Sequence, residues 1–137
     1  MRWYLREVTA DFTEIRASGA WLSLSNMIKR IVEAQNLELV FNPKEKFSTK
    51  QQSFRATTLI TPPVFNKEFF VNALEFDGLD IKLSACHILL SVLKKAEEFL
   101  RILKTSPKAA MYSETEKSSI SSAFTGNLIQ VFYLFKL

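Results

Sequence analysis

Cys86 and His87, the single cysteine and the single histidine of the chain, stand side by side. A thiol with a neighbouring imidazole is the raw material of nucleophilic catalysis, provided the base can reach the nucleophile. On a helix, consecutive side chains point about 100° apart, so this pair makes no dyad. Cys86 then reads as a small buried core residue and His87 as a solvated helix residue. The carboxylates offer no alternative: Glu7, Asp11 and Glu14, Glu97 and Glu98, and Glu114 and Glu116 form neither an acid/base pair nor a metal-ligand spacing. They read as solvated surface charge. The three glycines, Gly19, Gly78 and Gly126, are too far apart for a phosphate-cradling loop. One cysteine and one histidine exclude a structural zinc site and an internal disulfide framework. The sequence predicts no enzyme, no cofactor and no metal.

What remains is charge. Lys29 and Arg30 are adjacent on one predicted helix, Lys94 and Lys95 on another, with Arg16 and Arg101 at the margins. Four cations brought to one surface could neutralise phosphates and release counterions without reading any base. The bland reading is that lysines simply solubilise helix faces. With 18 Lys plus Arg against 14 Asp plus Glu, the net charge of +4 permits an anionic partner without requiring one. Phe65, Phe69 and Phe70 read as core rather than as a platform for stacking bases.

The elements that would carry these residues follow from length and periodicity. At 137 residues, 47% apolar and with 12 Phe, the chain is predicted to be one packed domain. A first helix is expected over about 18–34, with Trp21, Leu24, Ile28 and Ile31 on its apolar side beside Met27, and with Ser23, Asn26, Arg30 and Glu33 opposite. A second, capped by Ser84, is expected over 85–98, burying Ala85, Leu89, Val92, Leu93 and Ala96 and turning His87, Ser91, Lys94, Lys95 and Glu98 outward. Strands are expected at 2–8, 37–41, near Phe47, at 54–61, 79–83 and 99–104, and at the end of the chain. "VNALEF" reads as extended, and turns are expected at Asn42-Pro43 and Asp77-Gly78. A serine-rich flexible loop is expected over about 105–125. The order strand, helix, strands occurs twice, which predicts an α+β domain: two helices lying together on curved antiparallel sheet.

Beyond these patterns, "MRWYLREV", "SLSNMIKRIVE" leading into "LELVFNPKEKF", "VFNKEFF", and "LDIKLSACHILLSVLKKAEEFLRILK" resemble the N-terminal domain of the Hus-type subunit of the DNA-damage checkpoint clamp. That subunit belongs to the nine-one-one heterotrimer, a sliding clamp related to the proliferating cell nuclear antigen. The resemblance spans roughly residues 1–105 and includes no catalytic signature. It implies a clamp-type domain with Lys29, Arg30, Lys94 and Lys95 on helices lining a DNA channel. It also implies the other clamp subunits, a clamp loader and checkpoint and repair proteins as partners, and a nuclear location. The chain departs from that pattern: a second clamp domain is missing, and the serine-rich segment is foreign to it. Weak, nonspecific contact with double-stranded DNA is therefore expected. The alternative is a protein-interaction module that pairs through exposed edge strands and has no DNA role. No leader peptide is expected at the N-terminus, and no apolar run approaches the ~20 residues of a membrane-spanning helix.

Overall fold

The computed structural model of the chain describes residues 19–61 and 67–132. Among the described residues five α-helices follow one another: α1 (Gly19–Glu33), α2 (Thr49–Ile60), α3 (Lys67–Glu75), α4 (Leu79–Thr105) and α5 (Glu114–Phe132). Short 3-10 turns at Leu37–Val40 and Pro107–Ala109 join them. Among the described residues there is no strand. The expected α+β sliding-clamp fold is therefore wrong, because that fold needs a curved sheet and this chain builds helix on helix. With the sheet go the edge strands of the alternative reading and the channel wall that the checkpoint-clamp role required. The strand expected at 2–8, the prolines at 62 and 63, Phe65, and residues 133–137 lie outside the described residues. No helix among the described residues is long and apolar enough to cross a membrane.

Helix wins in each of these segments for a local reason. From Leu79 to Thr105 there is no glycine or proline, the two residues that interrupt a helix most strongly. Gly78 precedes this run and Pro107 follows it. Within it Ile81, Ala85, Ile88, Val92, Ala96, Phe99 and Leu103 are buried at three- and four-residue intervals, one continuous helical stripe through two segments that read as strands. The alternation Leu79, Ile81, Leu83 is a five-residue coincidence inside that longer period. Ser84, expected as a cap, lies in the first turns of α4.

In α2 the β-branched run is held in helix from its start by a capping box. Ser48 Oγ accepts from the Gln51 N–H at 3.2 Å, and Gln51 Oε1 accepts from the Ser48 N–H at 3.3 Å. The hydroxyls of Ser53, Thr57 and Thr61 each donate to the carbonyl four residues back, at 2.6, 2.8 and 2.7 Å, which satisfies them on a buried face. Before α5, Ser113 and Glu116 form the same reciprocal cap, with Ser113 Oγ accepting from the Glu116 N–H and Glu116 Oε1 from the Ser113 N–H. Ile120 and Phe124, in the segment expected to be a loop, and Leu128, where the closing strand was expected, then bury one side of the helix.

Two of the turns stand where they were expected. Asn42 Oδ1 accepts from the Lys44 N–H at 2.9 Å, and the chain breaks at Asp77-Gly78 between α3 and α4. Helix α4 is the spine of the molecule: α1 and α3 pack on it directly, α2 and α5 pack on each other, and both also touch α4. The rings of Phe41 and Phe99 stack at 6.0 Å, and Phe99 lies 4.6 Å from Phe124. The Leu37–Val40 turn, α4 and α5 thus close on one aromatic cluster. Phe69 and Phe70 are buried, as the sequence predicted.

Candidate protein-interaction face on the long helix

The four cations singled out by sequence divide into two pairs by what they touch. Lys29 Nζ lies 3.9 Å from Glu33 Oε1, which also accepts from Ser91 Oγ at 2.7 Å across to α4. Lys95 is nearly buried at 11% exposure, donates to the Gln35 carbonyl at 2.9 Å and pairs with Glu98 at 3.1 Å. Lys29 and Lys95 thus belong to the seam between α1 and α4. Arg30 and Lys94 are exposed. The two helices do pack together, but on each other rather than over a sheet, and of the four cations Lys95 is the one whose bond crosses between them. Ser91, expected outside, is buried in this seam, whereas Leu93, expected inside, is half exposed.

That reversal marks the feature that sequence reasoning missed. Leu79, Leu83, Cys86, Leu90 and Leu93 follow one another at intervals of four, three, four and three residues, and all five are exposed. The leucines are 70%, 48%, 50% and 51% exposed in that order. At 100° per residue the five side chains fall within an arc of roughly 80°, facing away from the buried Ile81, Ala85, Ile88, Val92 and Phe99. Helix α4 is thus apolar on two sides. One closes the core, and the other carries the spacing with which a helix packs lengthwise on another helix. Cys86, expected in the core, stands in the middle of the outer series. Asp80, Lys82, His87, Lys94 and Glu97 flank or extend it and are also exposed. The sign of this face was present in the sequence, but it becomes legible only when 79–105 is read as one helix.

Two smaller features lie elsewhere. An apolar hollow of about 370 Å³ is lined by Phe47, Lys50, Gln51, Phe54 and Arg55, with the Arg55 guanidinium 4.0 Å from the centre of the Phe47 ring. A more polar cleft of about 230 Å³ between α4 and α5 includes Lys104, Glu114, Lys117 and Ser121. Among the described residues no group of three or more His, Cys, Asp or Glu is placed to hold a metal ion.

Two titrating groups outside the α4 face are shifted. Burial, helped by the charge of Glu116, raises the Tyr112 phenol above its ordinary value. The Ser113 backbone N–H, with Lys46 at 3.0 Å, holds the Glu116 carboxyl below its usual range. Both belong to the cap and anchor of α5.

The chain is similar to the nucleolar pre-ribosomal-associated protein 1 of Homo sapiens, at 29% identity over 94 residues. It is similar to the Mus musculus protein of the same name at 30% over 94 residues. Each match covers 68% of this chain but only 4% of the relative's length. No family model matches the chain, and no solved structure gives a significant match. These relatives, together with a helical fold, overturn the checkpoint-clamp reading and its proposed partners: the other clamp subunits, the clamp loader and double-stranded DNA. By their names the relatives are nucleolar, which is inside the nucleus, and at that coarse level they agree with the expected nuclear location.

Proposed function

We propose that this chain is a non-catalytic helical interaction segment that works in the nucleolus on pre-ribosomal assembly, with the outward face of α4 docking another helix. The observation that carries the reading is the exposed series Leu79, Leu83, Leu90 and Leu93, on a helix whose opposite side is already fully used in the core. Large apolar side chains at helical spacing on a surface are costly to leave in water and mark association sites. A groove-and-helix or helix-and-helix contact uses this arrangement. The pre-ribosomal setting is supported by the two nucleolar relatives.

The test follows a fluorescently tagged chain in cells and through a sucrose gradient. The parent chain is expected to concentrate in nucleoli and to co-sediment with pre-ribosomal particles, and Leu83→Lys/Leu90→Lys to remain at the top of the gradient. Equal sedimentation of parent and variant would remove the α4 face from the account. A parent chain absent from both nucleoli and particles would remove the nucleolar role.

A further inference from the structure

The α4 face carries its own charge code, and the code is self-complementary in one direction only. Near the start of the series stand Asp80 and Lys82; near its end stand Lys94 and Glu97. None of these four has an ion-pair partner among the described residues. When two copies of α4 are laid antiparallel with the leucines interleaved, Leu83 faces Leu93 of the second copy and Cys86 faces its Leu90. In that register Asp80 meets Lys94 of the second copy on one flank, while Glu97 faces its Leu79 at each end of the seam. A two-fold axis repeats that contact, so two opposite-charge pairs border one apolar seam. The parallel arrangement sets Glu97 against Glu97 in the seam and leaves Lys82 beside His87, with no opposite pair to offset them.

We infer that the outward face of α4 pairs with the same face of a second copy of this chain, antiparallel, as an isologous contact. The inference rests on the reading of that face as a helix-docking surface and names its occupant. The apolar seam is short, four leucines and a cysteine per copy, so the dimer is a weak one, formed at micromolar or higher concentration. Lengthwise pairing leaves the opposite, core-facing stripe of α4 untouched, so neither copy has to open to form the dimer.

Sedimentation equilibrium of the 137-residue chain, from dilute solution to millimolar concentration, reads the assembly directly. The parent is expected to pass from monomer to dimer. Lys94→Asp and Asp80→Lys are each expected to weaken the dimer about tenfold, since the two-fold axis doubles every lost surface pair. The double variant, which restores opposite charges across an antiparallel seam, is expected to return to within about threefold of the parent. Circular dichroism on each variant separates weakened pairing from a lost fold. A chain that stays monomeric throughout overturns the inference, and so does a double variant weakened by the sum of its parts. A monomeric parent whose co-sedimentation with pre-ribosomal particles is still abolished by Leu83→Lys/Leu90→Lys would assign the face to a different helix, ending the self-pairing while leaving the docking role intact. A dimer with charge-swap rescue that never joins the particles would do the reverse.

Discussion

Tyr112 shows what one residue contributes to the packing of this molecule. Its ring meets Phe41 edge-on at 6.3 Å, and its hydroxyl donates to the Phe47 carbonyl at 2.8 Å, tying the loop before α2 to the entrance of α5. Tyr112→Phe keeps the ring and removes that bond, so a loss of about 1 kcal/mol is expected in urea unfolding. The same substitution has a pH signature. The folded phenol has its pKa raised above 10.0, chiefly by burial, so the folded state holds this proton more tightly than the unfolded chain does. Its contribution is complete below pH 10 and is lost as the pH rises through the raised value. The fall in stability of the parent above pH 10 should be shallower in Tyr112→Phe when the two unfolding curves are compared. This anchor is not legible from local pattern, because Phe47 and Tyr112 lie 65 positions apart. The threonines of α2 stand in a run that reads as strand, and the serines of α5 in one that reads as flexible loop. The hydroxyls of Thr57 and Thr61 fit a helix instead, each bonded to the carbonyl four residues back.

Among the elements, α4 and α5 carry the main lesson. The helix expected over 85–98 lies entirely within α4, and its Ala85, Val92 and Ala96 are buried as expected. Its ends were misplaced because apolar pairs at 79–83 and 99–104 alternate over a few residues, and short windows do not separate period two from period 3.6. The first helix, 18–34, lies close to the observed Gly19–Glu33, where Trp21 and Ile28 fix the buried side and no competing alternation occurs. Helix α5 was hidden by composition: serine, threonine and glycine resemble a loop, while its apolar positions are spaced sparsely at 120, 124 and 128. Gly126 tests this element by itself. It is exposed on α5, an added methyl would meet nothing within 4 Å, and glycine inside a helix is a conformational cost without a packing return here. Gly126→Ala is expected to stabilise the chain by about 0.5–1 kcal/mol, read as a raised melting temperature. A loop at this position would leave the melting temperature unchanged.

On the scale of the whole molecule, the described helices share one apolar cluster, running from Trp21 through Phe70 and Phe99 to Leu128. Phe99, fully buried between Phe41 and Phe124, lies at its middle, and Phe99→Ala is expected to cost about 3–5 kcal/mol of unfolding free energy in urea. The long helix divides the chain into an inner side that makes the fold and an outer side left for a partner, and the functional reading depends on that division. It predicts that the two sides answer differently to the same kind of injury. The direct measurement is the urea unfolding of Leu83→Lys/Leu90→Lys, at a protein concentration too low for association. If the outer leucines serve binding alone, its stability stays within about 0.5 kcal/mol of the parent, as for other surface substitutions. A loss comparable with that of Phe99→Ala would place those leucines in the core and contradict the division.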